Sequence, residues 1–167
     1  MTPQQSNPWS GYARDEDRPL AAYGALIGIY NTIFAGFLLA AHRTGRRLPE
    51  RLGLGDVLLL TVATYRLSRL VSRDTVTSAL RAPFTEYQEP GGSGEINEKP
   101  RGKGMRHAIG ELVTCPFCMG QWIATLLAFG LVFAPRVTRL IGGIFAAVAF
   151  ADFLHYGHEA AKHRTEG

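Results

Sequence analysis

The chain has 167 residues, 46% of them apolar and 19% charged, with 18 Lys and Arg against 14 Asp and Glu for a net charge of +4. The charges gather in tails and loops between long uncharged runs, which excludes an ordinary soluble enzyme. Two cysteines exclude a disulfide-rich secreted scaffold, and the basic excess is too dispersed for nucleic-acid binding while it suits an anionic membrane surface.

Residues 1–19 read as a short disordered tail. Leu20 to Ala41 carries no charge over 22 residues, enough for a transmembrane helix, which needs about 20. The run is too long for a signal-peptide core, and His42 and Arg43 follow it rather than a small-residue cleavage site. Helix 2, over 55–73, is ambiguous. Val57 to Tyr65 is apolar, then Arg66, Arg69 and Arg73 recur on one face while Leu60, Ala63, Leu67 and Leu70 share another. Two readings stand: a basic amphipathic helix lying in the interface, or a span whose arginines snorkel to the headgroups, the second being somewhat favoured.

Asp74 to Ala82 predicts a short helix ended by Pro83. Residues 83–104 carry five glycines, three prolines and mixed charge without an apolar period, and read as a flexible loop. Pro116 to Ala134 is the next uncharged span. Pro116 suits the first helical position, Thr114 or Cys115 would be the N-cap, and Pro135 stops the helix. A third clear span covers 140–156, with Asp152 and His155 near its far end. Tyr156 there and Trp122 in the preceding span would mark membrane interfaces. Residues 157–167 read as a polar tail.

Lys and Arg near the helix ends set orientation. A four-span arrangement with an internal N-terminus and a three-span arrangement with an external one both fit, and inverted four-span topology does not. Both surviving arrangements put loop 74–111, the cysteine pair and the C-terminus in the cytoplasm of a multi-pass bacterial membrane protein. Small-residue steps at Gly24/Gly28, Gly120/Ala124/Ala128, Gly142/Ala146 and Gly143/Ala147/Ala151 permit close helix packing, within one chain in preference to a homodimer.

Cys115-Pro116-Phe117-Cys118 is the sharpest local motif. Helix N-termini stabilise thiolates, and the string occurs in glutaredoxins, although there it follows a strand. Structural packing, a metal or partner-completed site, and redox chemistry are all open readings, in that order of preference. A metal site on Cys115 and Cys118 would need more ligands, from His107 or a second chain, and would take zinc or iron; no cofactor is the favoured expectation. Asp152, His155 and Glu159 share a helical face with His158 nearby, a weak metal reading against plain polarity at a helix end. Arg66, Arg69 and Arg73 would either grip lipid phosphates or act as topogenic charge. Asp56 would cap helix 2. There is no P-loop, HExxH, nucleophile elbow or dinucleotide fingerprint.

Three strings, Asp56 to Leu60 continuing through Thr64 to Leu70, Arg73 to Arg81, and Cys115 to Trp122, resemble the uncharacterised bacterial membrane family catalogued as domain of unknown function thirteen-sixty. The resemblance covers about Leu54 to Leu154 and leaves the first span as an addition to the family core. It implies a small integral membrane protein, with a sporulation association in some members and no reaction. It further implies that Arg66, Arg69, Asp74, Arg81, Cys115, Cys118 and Trp122 form one site or one structural lock.

The expectation is an all-α integral membrane bundle of three to four helices with a flexible cytoplasmic loop and a family-like core over 54–156. Its function would be that of a non-enzymatic membrane component. Through Arg66, Arg69, Arg73, Asp74, Arg81 and Trp122 on its cytoplasmic face it would bind membrane lipids or a protein partner, a second copy included. The alternative is a membrane-bound dithiol redox or metal-binding protein.

Overall fold

The structure, a computed structural model, describes Tyr12 and residues 18–165. The disordered tail expected over 1–19 lies outside the described residues apart from Tyr12, Arg18 and Pro19. The element order is α1 (Leu20–Arg43), α2 (Leu54–Ser72), a 3₁₀ turn (Thr75–Thr77), α3 (Ser78–Arg81), β1 (Thr85–Gly92), β2 (Glu95–Pro100), α4 (Gly104–Thr114), α5 (Pro116–Phe133) and α6 (Pro135–Thr165). Three helices are long and apolar enough to cross a membrane: Leu20–Arg43, Pro116–Phe133 and Pro135–Lys162.

The long helices alternate in direction. Tyr30 of α1 meets Trp122 of α5, and Phe37 meets Phe129 and Phe133, so α1 and α5 run parallel. Asp56 of α2 meets Arg139 of α6, while Arg66 and Tyr65 ten residues on meet Asp152 and Phe153, so α2 and α6 also run parallel. Helix α2 therefore extends along the bundle rather than across its end. At 1.5 Å per residue its 19 residues measure about 28 Å, close to the 18-residue α5. The buried cluster is Leu60 and Ala63 of α2 against Ile123 and Leu127 of α5, flanked by Leu67, Val71, Met119, Leu131 and Phe145. Most of the apolar face expected on helix 2 thus lies at the core.

Small residues act where the backbones approach. A Cβ on Gly130 would lie 2.6 Å from Thr138 Oγ1, and one on Gly142 would lie 3.1 Å from Leu59 Cγ. Gly120 faces Thr64, whereas Gly24, Gly28 and Gly143 have open space beside them.

Four expectations are corrected. The chain is not purely α-helical, and 83–104 is not a flexible loop. It holds an antiparallel hairpin, with Glu86 opposite Lys99 and Tyr87 opposite Glu98. Ser93 and Gly94 turn it with φ of 48° and 81°, the double positive φ that a tight two-residue hairpin turn requires. Its tip is tied to the end of α2: the Ile96 N–H donates to Arg73 O at 3.0 Å, and the Thr75 N–H to Gly94 O at 2.9 Å. Residues 104–114 form a helix that the sequence reading left unassigned. The last span and the polar tail are one continuous helix, α6, because nothing after Pro135 breaks the ladder. Finally, Asp56 does not cap α2. Gly53 takes the N-cap position, and the Asp56 carboxylate accepts two hydrogen bonds from Arg139, both 2.8 Å. The short helix expected over Asp74 to Ala82 corresponds to the 3₁₀ turn and α3, and Pro135 follows the end of α5 as expected.

Candidate functional site: an arginine–carboxylate lock and a dithiol pocket

At the end of α2 the three face-sharing arginines reach the hairpin. Helical spacing sends Arg66, Arg69 and Arg73 to one side, where Asp74 and Asp152 face Arg66 and the hairpin places acceptors opposite Arg69 and Arg73. Arg66 donates to both carboxylate oxygens of Asp74, at 3.3 and 2.9 Å. Its Nε also lies 2.9 Å from Asp152 Oδ2, a charge contact without hydrogen-bond alignment. Arg69 donates twice to Glu95 Oε1, at 3.0 and 2.6 Å, and stacks its guanidinium 5.9 Å from the Tyr65 ring centroid. Arg73 donates to Asn97 Oδ1 at 3.0 Å.

Arg81 is the deepest member, only 1% exposed. It pairs with Glu98, itself 5% exposed, and donates to Val71 O at 2.8 Å, Thr77 Oγ1 at 2.6 Å and Asp74 O at 3.1 Å. Thr85 Oγ1 adds a hydrogen bond to the other Glu98 oxygen at 3.2 Å. One guanidinium thus joins α2, the 3₁₀ turn and the hairpin. Buried charges persist only when paired and hydrogen-bonded, and both conditions hold here. Helix α4 closes the base of the hairpin: a Cβ on Gly110 would lie 2.5 Å from Phe84 O.

Cys115 lines a cavity of about 750 Å³ together with Arg69, Arg73, Glu95 and Asn97. Cys115 is the N-cap of α5, and its Sγ accepts the Cys118 N–H at 3.2 Å. Both are free, with their sulfurs 2.6 Å apart. Two thiolates on one tetrahedral zinc, each about 2.3 Å from the metal, would sit about 3.8 Å apart. Among the described residues, no three His, Cys, Asp or Glu side chains group as a metal site, and Asp152, from the second metal reading, is engaged by Arg66 instead.

Both thiols line a pocket of about 630 Å³ between α1, α4 and α5, with Leu26, Ile27, Tyr30 and Trp122 among its walls. Trp122 packs edge-on against Tyr30, with centroids 5.2 Å apart, so it anchors α1 as well as occupying the end of a span. Tyr30 OH pairs with Thr125 Oγ1 at 2.7 Å and accepts from Gln121 at 2.8 Å. At the pocket's edge Glu111 accepts from Tyr23 OH and, at 3.0 Å, from Arg18. The structure therefore brings Arg66, Arg69, Arg73, Asp74 and Arg81 together, places Cys115 on a cavity shared with Arg69 and Arg73, and puts Cys118 and Trp122 on the pocket beside α1. Sequence reasoning missed Glu95, Asn97, Glu98 and Glu111. Complementary charge between the arginines of 66–81 and the segment after Pro83 was the available signal for Glu95 and Glu98, and Asn97 offered none.

Residues 59–158 match the family model described as "Protein of unknown function (DUF1360)". The chain is 32% identical to sporulation protein YjcA of Bacillus subtilis over 101 residues, 59% of this chain and 86% of that protein. It is 31% identical to UPF0713 protein YngL of the same organism over 91 residues, 53% of this chain and 66% of that one. No solved structure matches the chain.

Proposed function

Within the family of unknown function DUF1360, to which this chain belongs, we propose a non-enzymatic membrane component that spans four times and carries a rigid hairpin head. The observation that carries this reading is that Arg66, Arg69, Arg73 and Arg81 each meet an acceptor from this same chain. Arg66, Arg69 and Arg81 are held by carboxylates and Arg73 by the Asn97 amide oxygen, which leaves the cluster little to offer a lipid phosphate, so it serves as a lock rather than a lipid grip. The head it fixes is the surface offered to a protein partner, and it faces the cytoplasm. Both ends of α2 reach the two ends of the bundle, which supports α2 as the fourth span. The N-terminus, hairpin and end of α6 then share one side. The relative named a sporulation protein supports a sporulation setting for such a component wherever the host forms spores.

Replacing Arg66, Arg69 and Arg73 together by Gln tests the lock. The expected result is a lower melting temperature in detergent and an unchanged preference for anionic over neutral lipid vesicles at low salt. A preference that falls with the substitutions and is lost at high salt would return these residues to lipid binding. In a Cys115→Ser/Cys118→Ser background, Gln88→Cys and Leu48→Cys should label from opposite sides of the membrane, Gln88→Cys from the cytoplasm. Labelling of both from one side would refute the fourth span.

A further inference from the structure

We propose that the pocket between α1, α4 and α5 takes a lipid-soluble quinone, which oxidises the Cys115–Cys118 dithiol to a disulfide. Three observations converge. The two sulfurs are 2.6 Å apart on one turn of helix, so they reach each other without movement of either backbone. Cys115 Sγ sits at the start of α5 and accepts the Cys118 amide N–H at 3.2 Å, which fixes the two side chains relative to each other. Both thiols open into about 630 Å³ of space walled by Leu26, Ile27, Tyr30 and Trp122. Apart from Arg18, Tyr23, Glu111 and Gln121 its lining is mostly apolar, and such a space suits a flat ring that is apolar except at two carbonyl oxygens. Gln121 spends one amide N–H on Tyr30 and carries a second that can donate to such a carbonyl.

The step balances without another reactant. Two S–H bonds break and one S–S bond forms. The two electrons and two protons go to the two quinone oxygens, and a quinol leaves. The event is stoichiometric, one quinone per chain, so the pocket makes the protein responsive to the redox state of the membrane quinone pool and does not make it a turnover enzyme. It is independent of the lock at the end of α2.

The test uses the full chain, purified in detergent, reduced and freed of reductant, then mixed with a short-tailed, fully substituted ubiquinone, whose ring offers no position for thiol addition. One quinol per chain is expected, with loss of both alkylatable thiols and their recovery on reduction. Cys115→Ser and Cys118→Ser should each abolish it. Ile27→Trp, which fills the pocket from an exposed position on α1, should slow it at least tenfold while leaving oxidation by the small water-soluble oxidant diamide unchanged. Trp122→Ala serves as a second pocket variant. Thiols that survive the quinone, a covalent quinone adduct, or an unslowed reaction in Ile27→Trp would each overturn the proposal.

Discussion

Removing the Arg81 side chain is the sharpest perturbation of the lock. In Arg81→Ala the Glu98 carboxylate, 5% exposed, loses its counter-charge and Val71 O loses the Arg81 donor, whereas Asp74 O keeps the Thr77 hydroxyl and N–H. Breaking a buried ion pair from one side costs about 3–5 kcal/mol, because the remaining charge stays desolvated. The carbonyl left without Arg81 is part of that cost. The loss falls on the hairpin and its attachment, since α5 and α6 make no contact with Arg81 among its hydrogen bonds. Hydrogen exchange reads this locally. The Ile96 and Thr75 amides, which tie the hairpin tip to the end of α2, should lose protection by a factor of about 10²–10³, at about 1.4 kcal/mol per tenfold. Amides of α5 near Leu127 should keep theirs. The double variant Arg81→Met/Glu98→Leu, with no buried charge left, should recover most of the protection. Protection at Ile96 within threefold of the native chain in Arg81→Ala would refute the reasoning.

Two further outcomes follow from close packing. Gly110→Val puts side-chain atoms where Phe84 O already lies 2.5 Å from a built Cβ. It should cost about 1–3 kcal/mol and expose the Phe84–Thr85 segment to limited proteolysis. Phe129 is buried and stacks with Phe37 at 4.7 Å and edge-on with Phe34 at 5.3 Å. Phe129→Ala should cost about 3 kcal/mol and loosen α1, read as faster exchange at its amides with the α2–α5 contact intact.

The starts of α1 and α5 were legible in the sequence because long uncharged runs and a boundary proline mark them, at Leu20 and Pro116. The last helix begins at Pro135, five residues before the expected start at Leu140, and runs past its expected end at Tyr156. The core positions of α2 followed from its helical period, and of the two N-cap candidates before Pro116, Thr114 and Cys115, Cys115 takes the place. The hairpin was illegible for a physical reason. A strand normally announces itself by apolar alternation, because its inner face meets a hydrophobic core. Here both faces of β2 meet guanidinium groups, with Glu95 and Asn97 on one side and Glu98 on the other, so polar residues stand where Val or Ile would be read. The Ser93-Gly94 turn was a signal, diluted by the glycines on either side. Helix α4 was hidden by the same absence of a long apolar run. Of the residues the resemblance grouped, Cys115 shares a cavity with Arg69 and Arg73, while Cys118 and Trp122 line the pocket beside α1.

The order of the lock's parts along the chain has a consequence for biogenesis. Arg66, Arg69 and Arg73 leave the ribosome more than twenty residues before Glu95 and Glu98. Arg66 meets Asp74 only eight residues on, but Arg69 and Arg73 have no partner until the hairpin is made. The hairpin then arrives with Glu95 to neutralise Arg69 and with the Asn97 amide oxygen to engage Arg73. The charge that the nascent helix displays at Arg69 is thus taken up by folding, and the finished head no longer presents it.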